Sequence, residues 1–370
     1  MLMVSPLLLF LPLAVKALIN PTKDTACSCS SGFVPVPVDV TIPVNPSDPT
    51  GLNSTDTFRL QTIFEVFGEL CEPVSADSTF SHAIQLLLHG QSYTSQYWDV
   101  SWNGFQNYSY VALSCSKGIS SFAYDNLGAG RTTRPQSSTE CQMPTAGNVS
   151  SSLAKDLKSG AISRILTGRE MKYDKVIGFG HSLGSATLNY AAIGDGENSP
   201  FDALVLTGSI HDPEFIINPP VAAVPASQVD PARFPNLDPG YITTPNISAR
   251  MIFYGPTLAS FSLDVFNLDE LTKDAGSHWL TLQIRAIYTP AARFKAPVVE
   301  LVGSFDKVHC LPNGAPCDQT KLQTSEAIFF PDSKNFSMIV IDGFGHDLNL
   351  EFAAAKAFTI MNQLFERFAI

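Results

Sequence analysis

Charge is what this sequence has least of. Of its 370 residues only 15% are Asp, Glu, Lys or Arg, against roughly 25% in an ordinary soluble domain. The shortage is mainly cationic, with 23 Lys and Arg against 34 Asp and Glu, for a formal net charge of −11. Such a surface repels nucleic-acid phosphates, and no basic run or aromatic-basic interleaving offsets it, which sets nucleic-acid binding aside. After residue 17 no apolar run approaches the roughly 20 residues needed to cross a bilayer, so no stable membrane span is expected. Internal repeats and low-complexity blocks are also absent. The seven cysteines contain a single C-x-C, Cys27 and Cys29, without a spaced histidine partner, and match no usual zinc-ligand pattern.

What is present is apolar bulk. Hydrophobic residues make up 45% of the chain, 25 of them Phe, enough to bury one large core or a core carrying an insertion. The N-terminus "MLMVSPLLLFLPLAVKA" is an apolar run followed by small residues, Val15 and Ala17, where signal peptidase cuts. Residues 1–17 are therefore expected to be a signal peptide and the mature, secreted protein to begin near Leu18. Five N-x-[ST] sequons, at Asn53, Asn107, Asn148, Asn246 and Asn335, fit export, and glycans there would account for the sparse charge. In an oxidising compartment an odd number of cysteines leaves one thiol over. Cys310 and Cys317 are expected to pair across a short Pro/Gly loop. Further expected bridges are Cys115 with Cys141, and Cys71 with Cys27 or Cys29.

Residues 18–56 form a leader whose prolines at 35, 37, 43, 46 and 49 forbid helix and leave extended edge or linker structure. Beyond it, "TFRLQTIFEVFG", "HAIQLLLHG", either "SYVALSCS" or "SSFAYD", "KVIGFG", "ALVLTGS", "PVVELVGSFD" and "SMIVIDGFG" read as strands. Several are almost uninterruptedly apolar, as strands buried on both faces of a parallel sheet are. Helical patterns alternate with them: "VSSSLAKDLKSGAISRIL", "SLGSATLNYAAI" and "EFAAAKAFTIMNQLFERF". The expected fold is α/β, a mainly parallel sheet with helices on both faces, built from residues 57–209 and 297–370. Residues 210–296 are too long for an ordinary connection and read as an inserted, largely helical cap.

In "KVIGFGHSLGS" a buried strand runs through G-x-S-x-G into a helix. That context makes Ser182 a candidate nucleophile, because a sharp strand-to-helix turn needs Gly180 and Gly184 and lifts the serine hydroxyl above the sheet. A serine needs a base, and the base needs a carboxylate to fix its tautomer. His346 ends the strand in "MIVIDGFGHDLNLE" and is the favoured base over His309 and His278. Asp306, at the end of "PVVELVGSFD", is the favoured acid, with Asp212 one strand earlier as its rival. Asp342 and Asp347 read as loop-capping residues. Backbone N–H groups of Gln91, after His89 and Gly90, and of Leu183 are the candidate oxyanion hole. His89 reads as structural, and His181 as packing at the elbow.

The order HG, "DNLGAGRT", GHSLG, Asp306, His346 resembles the α/β-hydrolase superfamily over roughly residues 57–370, in the branch whose cap follows the sixth core strand. The resemblance implies a catalytic triad of Ser182, Asp306 and His346 and a supporting role for Asp125, Gly128 and Gly130 in the floor of the site. Relatives that open epoxides or cleave carbon–halogen bonds carry aspartate where this chain has Ser182, so those substrates are not expected. The expected reaction is two-step acyl transfer on a carboxyl ester, lactone or related derivative, with no metal or organic cofactor. Phe261, Phe266, Leu268, Leu271 and Trp279 of the cap would suit an apolar substrate group or serve as cap core. A prolyl-type peptidase, a lyase or cyclase using the same triad for proton transfer, and a catalytically silent binding protein are the competing readings.

Overall fold

Strands whose every residue is buried form the centre of the molecule. The computed structural model describes residues 23–44, 56–75, 79–100, 104–211, 221–310 and 315–370. Its main sheet has eight strands: β1 (Cys27–Pro43), β2 (Thr57–Pro73), β3 (Ala83–Leu88), β4 (Ser120–Tyr124), β5 (Lys175–His181), β6 (Ala203–Thr207), β7 (Val298–Gly303) and β8 (Phe336–Ile341). Their spatial order is β1-β2-β4-β3-β5-β6-β7-β8. From β4 to β8 neighbours run parallel, whereas β2 is antiparallel to β1 and to β4.

Every residue of β3, β4, β6 and β7 is buried, which explains their mainly apolar character, interrupted by Gln85, Ser120, Ser121 and Glu300. Alternate side chains enter two separate cores: Ile84, Leu86 and Leu88 of β3 lie in one, Ala83 and Leu87 in the other. The first core is closed by α2 (Met143–Ser159) and α4 (Leu183–Asp195), through residues such as Val149, Leu153, Ala186 and Leu188. The second is closed by α1 (Tyr110–Ser116) and α7 (Ala354–Ala369), through Tyr110, Val111, Phe358, Met361 and Phe365. The α/β class with helices on both faces is as the sequence implies.

Of the two candidate strands, "SSFAYD" supplies β4 and "SYVALSCS" is helix α1. Ser109 starts that helix, its side chain accepting from the Ala112 N–H at 2.9 Å. The long helical pattern before β5 is broken in two: Gly160 adopts φ +81° between α2 and α3 (Ala161–Thr167), the left-handed conformation that ends helices. Within the proline-rich leader, Cys27–Pro43 form β1, a 17-residue edge strand, while Pro46 and Pro49 lie outside the described residues. Val34, Val36 and Val38 are buried while Pro35 and Pro37 between them are exposed. An edge strand tolerates prolines because one side of its backbone has no ladder to complete.

Three disulfides link Cys27 to Cys115, Cys29 to Cys71 and Cys310 to Cys317, and Cys141 is a buried free thiol. The expected Cys115–Cys141 bridge is therefore corrected. Cys115 sits on α1 under the start of β1 and meets Cys27 there, whereas Cys141 lies in the other core, beside the Tyr241 hydroxyl. The proposed signal peptide, Asn53 and Asp212 lie outside the described residues. Asn107, Asn246 and Asn335 are exposed and Asn148 is half-buried on α2.

Among its described residues the segment between β6 and β7 carries short helices, including α5 (Leu263–Thr272) and a helix at His278–Leu282. It also holds a three-stranded antiparallel sheet made by Val224–Pro225, Tyr241–Thr243 and Gly276–Ser277. These strands are too short to leave a period-2 pattern.

Candidate active site

Ser182 stands between β5 and α4 with φ +52° and ψ −118°, a conformation costly for any residue with a side chain. Close packing explains the glycines around it. A Cβ on Gly180 would lie 2.5 Å from the backbone of Ser185, and one on Gly184 would lie 2.4 Å from the Leu88 carbonyl oxygen. The turn is pinned by the Ser182 N–H donating to the Thr207 carbonyl at 2.8 Å.

Asp306 and His346, from the ends of β7 and β8, meet at 2.9 Å between Oδ2 and Nδ1, both fully or almost fully buried. The other carboxylate oxygen, Oδ1, accepts from the N–H groups of Val308 at 2.8 Å and His309 at 3.2 Å. Burial opposes ionisation of Asp306, but the His346 charge and these hydrogen bonds outweigh it and hold the carboxyl well below the usual range. Burial likewise opposes a charge on His346, and Asp306 outweighs that too, so the imidazole pKa is raised above 6.5. With Nδ1 donating to the carboxylate, Nε2 carries the lone pair of the neutral ring.

Ser182, Leu183, His346, His309 and Gln91 all line one cavity of about 80 Å³. Gly90 lies against the serine, its notional Cβ only 3.0 Å from Ser182 Cβ, which places the segment carrying Gln91 beside the elbow. Leu183 is the first residue of α4, so its N–H has no carbonyl within the helix to bind. His89 holds this loop: Nδ1 meets the Gly90 carbonyl at 2.8 Å and Nε2 accepts from the Asn126 N–H at 2.9 Å. Asp125 ties two neighbouring segments together, accepting from the N–H groups of Ser95 at 2.7 Å and Arg131 at 2.9 Å.

The remaining cavity wall includes Val221, Ala223, Ile242, Phe253 and Ile284, all from the segment between β6 and β7. Phe261, Phe266, Leu268, Leu271 and Trp279, the apolar residues singled out from sequence, do not line it. Phe261 and Phe266 pack against Tyr254, and Leu271 is exposed.

One group of residues carried no recognisable sequence signal. Asp347 is no loop cap: it is fully buried, accepts from the Tyr93 hydroxyl at 2.5 Å and faces His181 Nε2 at 3.3 Å. Burial, then the nearby Asp269 charge, push its carboxyl up to about 8. His181 stacks on Tyr97 with ring centroids 4.2 Å apart, and its Nδ1 meets Thr207 Oγ1 at 3.1 Å. Asp269 is held by Arg250 and Tyr254. Such a network joins residues from both sides of the chain's longest connection, so no local spacing could reveal it.

A profile of the alpha/beta hydrolase family matches residues 85–355. No curated protein matches the chain in sequence. Among solved structures, a soluble variant of monoglyceride lipase from Saccharomyces cerevisiae is 16% identical with a TM-score of 0.54, over 82% of this chain and 92% of that one. A thermophilic esterase from Thermogutta terrifontis is 15% identical with a TM-score of 0.52, over 90% and 100% of the two chains. The epoxide hydrolase VrEH1 from Vigna radiata shares 14% identity with a TM-score of 0.51, over 91% and 98%. At these identities the likeness is one of fold.

Proposed function

We propose, from the premise that the chain belongs to the alpha/beta hydrolase family, that it is a secreted serine hydrolase acting on carboxyl esters, lactones or related acyl derivatives. The observation that carries this reading is the Asp306–His346 pair at 2.9 Å on the same cavity as a serine in a strained turn. In the proposed cycle His346 Nε2 takes the Ser182 proton as Oγ attacks the carboxyl carbon. The N–H groups of Leu183 and Gln91 hold the oxyanion, and protonated His346 then gives its proton to the leaving group. Water, deprotonated by the same imidazole, releases the acid from the acyl-enzyme. Neither step calls for a metal or organic cofactor. The residues between β6 and β7 act as a cap that closes the substrate site, and their apolar contribution favours an apolar acyl or alcohol group. Secretion rests on the N-terminal signal sequence, the sequons and the disulfides.

The test is labelling of the folded protein with a fluorophosphonate probe, followed by peptide mapping. Modification should fall on Ser182 and vanish in Ser182→Ala, with ester turnover lost in parallel. An unlabelled Ser182 in active protein would overturn the assignment. Incorporation of labelled water oxygen into an acid product separates hydrolysis from a lyase or cyclase step.

A further inference from the structure

His211, Glu300, Glu326 and Asn189 meet in the protein interior, away from the Ser182 cavity and unused by the proposed cycle. They come from four elements: the segment just after β6, the middle of β7, the end of α6 (Gln319–Glu326) and α4. All four are buried, Glu300 to 1% exposure. His211 Nδ1 lies 2.6 Å from Glu326 Oε2 and 3.8 Å from Glu300 Oε1, and the three potential donor atoms all fall within 4.8 Å of one another. The Phe329 ring stacks on His211 at 3.8 Å and closes the group off.

Two carboxylates at such depth need compensating positive charge, yet among the described residues no Lys or Arg lies within ion-pair distance of either. Two atoms of the group also have no hydrogen-bond partner among the described residues: Glu300 Oε2 and Asn189 Oδ1. A cation between the carboxylates answers both the charge and the unpartnered Glu300 oxygen.

We propose that His211 Nδ1, Glu300 and Glu326 form a buried structural site for a divalent transition-metal ion of the zinc class. The ligand set, one imidazole and two carboxylates, suits such an ion and neutralises its charge. Asn189 completes the arrangement. Its amide nitrogen now lies 3.0 Å from His211 Nε2, and the oxygen and nitrogen ends of an amide are interchangeable by rotation. With Nδ1 on the metal, Nε2–H donates to Asn189 Oδ1, the outer-shell bond that metal-bound imidazoles make to a carbonyl. Ligands about 2.1 Å from one tetrahedral ion stand roughly 3.4 Å apart, so the His211–Glu326 contact opens on binding. The ion would pin the start of the segment between β6 and β7 to β7 and α6.

Tag-free protein is stripped with a strong chelator, then titrated with zinc chloride while bound metal and Tm are measured. The expected result is about one tightly held equivalent and a raised Tm. Glu300→Gln should lose that equivalent, and Asn189→Ala should bind zinc about 10–100-fold more weakly. Asp306, His309 and His346 also lie close enough together to share an ion, so His346→Ala serves as the control and should retain the equivalent. Wild-type protein that takes up no zinc and shows no Tm change overturns the proposal, a result that needs no variant to fold. Loss of the equivalent in His346→Ala but not in Glu300→Gln overturns it as well. A Glu300→Gln protein more stable than wild type, with zinc bound by neither, would identify a buried protonated acid instead.

Discussion

Asp347 follows His346 directly, and the pKa of each is raised by different surroundings, burial for the carboxyl and the Asp306 charge for the imidazole. Burial and Asp269 keep Asp347 protonated up to about 8, which makes its hydrogen bonds consistent with a neutral His181. Tyr93 donates to Oδ2, the carboxyl proton points from Oδ1 to His181 Nε2, and His181 Nδ1–H donates to Thr207 Oγ1, whose own hydroxyl donates to the Gly180 carbonyl. The His181 pKa is accordingly depressed, by burial first and then by the His346 charge. Because the folded state holds the Asp347 proton more tightly than the unfolded chain, its stabilising contribution is complete below the ordinary 3.8 and is lost as pH rises through about 8. Asp347→Asn keeps the same hydrogen bonds without a titrating proton. Its stability relative to wild type should therefore grow from about pH 4 to about pH 8 and then level off, as read by urea melts across that range. His346 gives the kinetic counterpart. As a base it must be neutral, so kcat/KM should fall as pH drops through a pKa raised above 6.5 by Asp306. Asp306→Asn removes that raising influence. The acid limb should move to lower pH while kcat falls about 10²–10⁴-fold.

At the scale of elements, the disulfides fasten the outer ribbon to the sheet it extends. Cys29 and Cys71 face each other in the β1–β2 register, and Cys27 reaches α1 through Cys115. Cys141 is left in the core, its thiol pushed up to about 12 by burial. A thiol reagent should find no reactive cysteine in the native protein and one per chain after unfolding without reductant, mapped to Cys141. A second reactive thiol on unfolding would break the assignment of the bridges. The same elements show what the sequence makes legible. β3, β6 and β7 stand out because burial on both faces makes them mostly apolar despite Gln85 and Glu300, and the elbow stands out because steric clashes dictate Gly180 and Gly184. Asp306 and His346 follow because strand ends of a parallel sheet converge on one edge. Cys310–Cys317, seven residues apart, and a partner for Cys71 at the start of the chain were legible, but the Cys27–Cys115 bridge, the Asp347 network and the short strands of the β6–β7 segment were not. Each depends on where distant segments come to rest, and none repeats with a helical or strand period.

For the molecule as a whole, the proposed function puts the chemistry at the sheet edge and leaves substrate selection to the residues between β6 and β7. The cavity at Ser182 encloses about 80 Å³, about half of the roughly 150 Å³ apolar cavity that accepts benzene in an engineered protein. A short acyl group fits that space, and a longer one has to extend past the apolar residues above it. Ile242, Phe253 and Ile284 form apolar parts of that wall, while Ser182, Asp306 and His346 belong to the sheet edge below. Chain-length preference should therefore be separable from chemistry. In a series of p-nitrophenyl esters, wild-type kcat/KM should be highest for short acyl chains and fall with added methylenes. Ile242→Ala opens the wall without touching the proposed triad, so it should shift the optimum to longer acyl groups by about 10–200-fold in relative kcat/KM, the range a single methylene commands in an apolar pocket. Fluorophosphonate labelling of Ser182 should remain at the wild-type rate, because the phosphonyl group reacts at the elbow, its base and the oxyanion donors, which the substitution leaves in place. An unchanged chain-length profile in folded Ile242→Ala would mean that the inserted segment does not set selectivity. A loss of labelling would mean instead that it helps to assemble the triad.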